Sequence, residues 1–250
     1  MSHWIPVAPD ALARAAGFSR IAGVDEAGRG PWAGPVVAAA VIPPSTPLSV
    51  RIDDSKRLTP LQRERAFSLL LERAEVGFGI VCAAEIDRRN IHQATLLAMQ
   101  HAIADLPHPP ELILVDGLHV PMVATPCWPF ISGDQRSYAI ACASIMAKVL
   151  RDRLMTFYHT LVPHYAFQQH KGYGTALHAA RLRRFGPSVF HRRTFRPVLD
   201  PSTRTTAFPR LRSGQAGRGL CLDFARHSSR ARRSRVEGPR ALPVGLHASA

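Results

Sequence analysis

The sequence predicts an α/β fold, with a central sheet and helices packed on it. Two observations carry this. Short apolar runs with the composition of buried strands, RIAGVD (20–25), GPVVAAAVIP (34–43) and ELILVDG (111–117), are interspersed with longer stretches of helical spacing. The first and third of these runs also bring an acid to a strand end just before a loop containing glycine. Open α/β sheets gather their chemistry at such carboxyl ends of strands.

RIAGVD reads as a buried strand, followed by a Gly28-Arg29-Gly30 turn. The Val, Ala and Ile run of 34–43 suggests a second strand buried on both faces. Asp53-Asp54-Ser55-Lys56 is a polar loop. Thr59 then caps a helix with Pro60 in its first position. VGFGIVCA (76–83) is a third strand, although Gly77 and Gly79 weaken that reading. Residues 85–106 read as one helix, with Ile91, Leu96, Met99 and Ile103 roughly at helical spacing. ELILVDG is the fourth strand, and 127–131 a short fifth. Asp134 to about Val162 reads as a long helix placing Ile140, Ser144, Ala147 and Arg151 on one face. HKGYGT (170–175) is a loop, and 176–185 a helix carrying Arg181, Arg183 and Arg184. From Asp200 the periodicity stops. The chain therefore divides into a folded domain over 1–199 and an Arg-rich tail, expected to be disordered, over 200–250.

Charge narrows the partners. The formal net charge is +14, from 29 arginines and 3 lysines against 18 acids. Arginine favours planar anions such as phosphate, so nucleic acid leads, ahead of an anionic membrane surface. Half of the excess, +7, falls in residues 200–250. Cys82, Cys127, Cys142 and Cys221 form no CxxC pair and show no zinc-like spacing, which fits reduced thiols in a cytoplasmic protein. The N-terminus lacks a continuous apolar stretch, so no signal peptide is expected. The most apolar run, Gly34–Pro44, is too short to span a bilayer.

Four acids are the candidate chemistry: Asp25, Glu26, Asp116 and Asp134. Any one of them alone reads as a solvated strand end, and Asp134 could instead cap the helix it precedes. In combination they repel and desolvate badly unless a cation joins them. Oxygen ligands with no Cys or His nearby favour Mg2+ or Mn2+ over zinc. Two such ions about 4 Å apart can activate a water and stabilise a leaving oxygen in phosphodiester cleavage. Neighbours on a strand point to opposite faces, so Asp25 and Glu26 cannot both reach one ion as regular strand residues. Either the strand has ended by Glu26, or Glu26 contributes differently. Gly28-Arg29-Gly30 lacks the spacing of a P-loop or a dinucleotide fingerprint. It is a tight turn, or a loop whose main-chain N–H groups approach a phosphate or sugar hydroxyl.

Taken together, GVDEAGRGPWAGPVVAAAVI, DDSKRL, NIHQATLLAMQ, VDG, ASIMAKVLRDRLM, HKGYGT and FGPSVFHRRTFRPV, in this order, strongly resemble bacterial ribonuclease HII over residues 18–198. The resemblance implies a ribonuclease-H-like fold, a five-stranded mixed sheet flanked by helices with a helical C-terminal part. It implies cleavage of RNA within RNA–DNA hybrids and incision 5′ of single ribonucleotides in duplex DNA, leaving 5′-phosphate and 3′-hydroxyl ends. It further implies that Asp25, Glu26, Asp116 and Asp134 bind the metal ions. The loop Gly28, Arg29 and Gly30 matches the reader of the RNA–DNA junction and its 2′-hydroxyl, the group that separates RNA from DNA. Tyr173 matches a tyrosine that stacks at the junction sugar. Ser55 and Lys56 match the DSK loop, and Lys148 and Arg151 the helix facing the substrate backbone. Ser132, where the family commonly has lysine, and Leu118-His119 depart from the pattern. The chain is expected to act as a monomer.

Two other readings stand beside this one: a non-catalytic basic nucleic-acid-binding protein, and a different phosphoryl-transfer enzyme such as a phosphatase. The four acids argue against the first, because buried carboxylates near a phosphate backbone weaken binding without a metal. The lack of a nucleophilic Cys or activated Ser motif argues against the second.

Overall fold

The computed structural model describes residues 8–199. The tail expected over 200–250, with Cys221, lies outside them. Five strands form one mixed sheet: β1 (Ile21–Ala27), β2 (Val36–Ile42), β3 (Glu75–Val81), β4 (Leu112–Asp116) and β5 (Cys127–Phe130). Their order is β3-β2-β1-β4-β5. β1 pairs antiparallel with β2 and parallel with β4, and β5 continues parallel to β4. Strands β1 and β4 therefore end side by side, with Val24 level with Val115.

The alternation of side chains builds two cores. Val37, Ala39 and Val41 of β2 face α2 (Pro60–Arg73) and α5 (Tyr138–Leu161), against Phe67, Leu70, Ile145 and Met146. Ala38 and Ala40 face α4 (Ile91–Ala104), against Ala94, Ala98 and Met99. Small residues in β2 let helices close on both sides, the burial expected of that run. Gly77 and Gly79 belong to β3 for a related reason. A Cβ on either would lie 2.1 Å from Ala102 O or 1.8 Å from Ala98 O, so their lack of side chains is what seats α4.

The expected capping of α2 is found: the Thr59 hydroxyl accepts from Gln62 N, and the Gln62 side chain accepts from Thr59 N. Two expectations need correction. The helix expected over 85–106 is two, α3 (Ala83–Arg89) and α4. Asn90 separates them at φ 71°, a left-handed conformation that asparagine tolerates, and its side chain caps α4 by accepting from Gln93 N at 3.1 Å. The helix expected from Asp134 starts at Tyr138. Gly133–Gln135 form a separate 3-10 turn, and Ser137, not Asp134, is the cap. A short helix α1 (Pro9–Ala15) had no expectation. Its Asp10 carboxylate accepts from Tyr138 N at 3.0 Å and Ala139 N at 3.1 Å, tying the N-terminus to the start of α5.

Beyond α5 come α6 (Phe167–His170), α7 (Ala176–Phe185) and α8 (Arg196–Leu199), the helical C-terminal part. Cys82, Cys127 and Cys142 are free thiols. Among the described residues, no helix is long and apolar enough to cross a membrane.

Candidate active site

The period of two along β4 sends Leu112 and Leu114 toward α5, and Asp116 follows them. The same period along β1 puts Asp25 on that face and Glu26 on the other. Gly23 brings the helix down onto it, since a Cβ there would lie 2.1 Å from Ala139 C. The turn before α5 consequently lands on the two strand ends. One carboxylate oxygen each of Asp25, Asp116 and Asp134 then lie within 4.8 Å of one another.

Two of the three acids are held by main-chain donors. Glu26 N donates to Asp25 Oδ1 at 2.6 Å, and Gly133 N donates to Asp116 Oδ1 at 2.7 Å. Ser144 of α5 donates from Oγ to Ser55 Oγ at 3.0 Å and lies near enough to Asp25 to favour its charged form. Asp25 and Asp134 are buried. Burial, with Glu26 and Asp116 nearby, pushes the Asp25 carboxyl well above the usual range. Burial, Asp116 and Asp54 likewise raise Asp134. The near cation is Lys56, with Nζ 3.9 Å from Asp134 Oδ2 on a side chain left 82% exposed. One exposed ammonium does not neutralise three clustered carboxylates, so the site fits a hard divalent cation bound through oxygen.

Glu26 differs from its neighbours. β1 continues through Ala27, so the strand has not ended, and Glu26 is absent from the converging set. Its carboxylate pairs with Arg29 Nη1 at 3.3 Å. Burial raises its pKa, Arg29 opposes this, and Asp116 adds to it. Glu26 thus links the acids to the Gly28-Arg29-Gly30 loop.

The loop's glycines do different things. Gly28 has φ +98°, and a Cβ on it would lie 2.0 Å from Arg151 Nε, so that space is filled from inside. A Cβ on Gly30 would meet nothing within 4 Å. The open approach expected of both belongs to Gly30.

Arg151 was expected on a helix surface facing substrate. It is instead 1% exposed, donating from Nε to Pro35 O at 3.0 Å and from Nη2 to Ala33 O at 3.2 Å. The reason is the direction of α5: that face turns under the loop rather than toward solvent. Lys148 is half-buried, pairing with Asp152 at 2.9 Å. Tyr173 is 43% exposed, with Lys148 Nζ and Arg151 Cζ 5.9 and 5.6 Å from its ring centre.

Some contributors carry no expected role. Asp54 is buried and accepts from Lys56 N at 2.9 Å, folding the Ser55–Lys56 turn back toward the acids. Arg192 is fully buried under the loop. His170, His178 and His191 form a buried network. His178 Nδ1 donates to Tyr173 O at 2.9 Å, which leaves Nε2 to accept from His191 Nε2 at 3.1 Å. His191 Nδ1 then accepts from Ser188 N at 3.0 Å. His170 Nδ1 accepts from Gly172 N at 3.1 Å, and Nε2 donates to Tyr165 O at 2.8 Å. Burial lowers all three pKa values, His178 to about 4. Within the sequence, only the density of His and Arg around Tyr173 and in FHRRTF hinted at these roles. Of the departures, Ser132 adopts φ 54°, Leu118 is exposed, and His119 packs edge-on against His92.

Comparison with known proteins places this geometry. The model of the Ribonuclease HII family matches residues 22–198. The Ribonuclease HII of Chlamydia muridarum (strain MoPn / Nigg) is 54% identical over 186 residues, covering 74% of this chain and 85% of that protein. That of Geobacillus thermodenitrificans (strain NG80-2) is 54% identical over 187 residues, covering 74% and 72%. Among solved structures, ribonuclease H2 from Pyrococcus horikoshii OT3 superposes with a TM-score of 0.63 at 26% identity, covering 72% of this chain and 96% of that one. Bst-RNase HIII, solved in complex with Mn2+, has a TM-score of 0.60 at 17% identity, covering 78% and 72%, and shares the fold.

Proposed function

The chain belongs to the ribonuclease HII family of metal-dependent ribonucleases, and we propose that it cleaves the RNA strand of RNA–DNA hybrids and incises 5′ of single ribonucleotides embedded in duplex DNA. The products carry 5′-phosphate and 3′-hydroxyl ends. The observation that carries this reading is the convergence of Asp25, Asp116 and Asp134 on one point beside a loop exposed at Arg29 and Gly30.

In this reading Asp25, Asp116 and Asp134 would hold two divalent ions, Mg2+ or Mn2+, together with Glu26, whose carboxylate pairs with Arg29 beside them. When bound, the ions supply Lewis-acid activation of water and stabilisation of the departing 3′-oxygen. The chain's own residues do the rest. Main-chain donors from Glu26 and Gly133 fix the carboxylates. Ser55 and Lys56 flank the cluster, where the Lys56 ammonium suits a phosphate oxygen. Arg29, Gly30 and the Tyr173 ring face the sugar of the ribonucleotide, with Lys148 and Arg151 adding charge behind Tyr173. Arg151 acts from beneath the loop and not by direct contact. Residues 1–199 form the catalytic domain of a cytoplasmic monomer, and the tail over 200–250, with +7 net charge, adds salt-sensitive DNA affinity.

The test is a DNA duplex carrying one ribonucleotide, incubated with Mg2+. The native chain nicks it 5′ of that nucleotide, and Asp25→Asn binds without cutting. Equal nicking by Asp25→Asn, or no nicking by the folded native chain, overturns the assignment. The latter result favours a non-catalytic binding protein. Truncation after Leu199 should leave cleavage intact and lower affinity for all-DNA duplex at low salt; unchanged affinity would remove the tail's role.

A further inference from the structure

Two arginines lie buried beneath the Gly28–Pro35 loop, Arg192 at 0% and Arg151 at 1% exposure. All their side-chain hydrogen bonds among the described residues end on carbonyls of this loop. Arg192 donates from Nε to Gly34 O at 3.0 Å, from Nη1 to Arg29 O at 2.8 Å and from Nη2 to Gly28 O. Arg151 takes Pro35 O and Ala33 O. Burial lowers both pKa values, and Arg151 presses Arg192 further, down to about 9. Burying two like charges together is a costly way to make a core, since apolar side chains of similar volume are commonly as stable or more so. What arginine adds is a planar fork of five donors that can collect carbonyls from separate peptides.

That collection has a directional consequence. In a trans peptide the C=O and the following N–H point in opposite directions, and the described residues contain no cis bond. Drawing Gly28 O and Arg29 O inward onto Arg192 turns the N–H groups of Arg29 and Gly30 outward. Both residues are exposed. Gly30 has neither a positive φ nor any neighbour that a Cβ would strike, so its missing side chain leaves the outer side of these amides uncovered. Two adjacent N–H groups pointing the same way, above buried positive charge, make a donor pair for an oxygen ligand.

We infer that Arg192 is a positioning residue for substrate specificity: by holding the carbonyls of Gly28 and Arg29 inward, it aims the N–H groups of Arg29 and Gly30 at the 2′-hydroxyl of the ribonucleotide. This rests on the proposed function. Arg151 seats Gly28 and the far end of the loop, while Arg192 sets the two peptides that face the ligand.

The experiment uses the full-length chain in the non-cutting Asp25→Asn background. Its affinity is measured for a duplex with one ribonucleotide and for the same duplex in all-DNA form. The reference should prefer the ribonucleotide duplex by about tenfold or more, and Arg192→Lys should bring that ratio close to one while all-DNA affinity holds. In the cutting background, Arg192→Lys should raise KM with a smaller change in kcat, and Arg192→Met should do the same more strongly. A preference retained by Arg192→Lys, with the native chain still nicking, overturns this inference alone. A native chain that does not nick overturns the function and the inference together. Should the Arg192 variants fail to fold, amide hydrogen exchange in the Asp25→Asn chain decides. Slowing at Arg29 and Gly30 by the ribonucleotide duplex only supports the inference. No slowing, or equal slowing by all-DNA duplex through phosphate contacts, overturns it.

Discussion

Gly133 donates its main-chain N–H to Asp116 Oδ1 at 2.7 Å, so the turn that carries Asp134 is bonded to the acid at the end of β4. The Asp116 side chain is thereby fixed to the backbone of the turn that carries Asp134. Asp25 is held in the same way by Glu26 N. Such a cluster is built against its own repulsion, with Asp25, Asp116 and Asp134 already brought together where a cation would sit.

Removing one of these charges should therefore stabilise the metal-free protein. The Asp25 carboxyl is raised by burial, Glu26 and Asp116 above its ordinary 3.8. Above that pH the unfolded chain has lost the proton that the folded chain still holds, so stability falls as pH rises. Asp25→Asn should raise the melting temperature in chelator at pH 7 by about a few degrees, and abolish stabilisation by added Mn2+. A variant that melts lower than the native chain in chelator would show that its hydrogen bonds outweigh the repulsion.

Two glycines two residues apart should respond oppositely. Gly28→Ala places a Cβ 2.0 Å from Arg151 Nε at φ +98°, and should cost roughly 2–4 kcal/mol, read as a lower melting temperature. Gly30→Ala meets nothing in the protein. It should melt within about 0.5 kcal/mol of the native chain yet lose affinity for the ribonucleotide duplex. Equal melting losses for both would refute the division between an inward and an outward glycine.

What the sequence made legible follows the reach of its signals. Strand composition, the Thr59-Pro60 cap and the acids at strand ends are local patterns, and the sheet, α2 and the convergence of Asp25, Asp116 and Asp134 came with them. The break at Asn90 was hidden because Ile91, Leu96, Met99 and Ile103 keep helical spacing while one residue takes φ 71°. Arg151 was misplaced because period gives a shared face but not what packs on it. Arg192 and the carbonyls it binds lie more than 150 residues apart in sequence, beyond any local pattern.

Asp10 is a contact of that kind, 128 residues from the helix it caps. Asp10→Ala removes acceptors for Tyr138 N and Ala139 N at the positive end of a 24-residue helix. The loss should be about 1–2 kcal/mol of stability, read by urea unfolding. Since Asp134 sits in the turn immediately before that helix, Mn2+ affinity should weaken as well, by a few-fold. Unchanged metal affinity would show that Ser137 alone fixes the turn.

The histidine network predicts acid sensitivity at Tyr173. His178 is fully buried, donates to Tyr173 O and accepts from His191, so one added proton turns the acceptor into a second donor facing His191. Burial holds its pKa at about 4, against 6.5 in the unfolded chain. Between those values the unfolded state carries a proton that the folded state lacks, so stability drops as pH falls from 6.5 toward 4. The loss approaches about 3 kcal/mol at the lower end. Asp25 works in the opposite direction over part of this range, so the melts belong in the Asp25→Asn background. There, His178→Gln should give a shallower pH dependence, with His170 and His191 supplying what remains. An unchanged slope would place the acid sensitivity elsewhere. With the histidines neutral the Tyr173 carbonyl stays anchored, and binding of the ribonucleotide duplex should weaken over the same pH interval as the fold loosens.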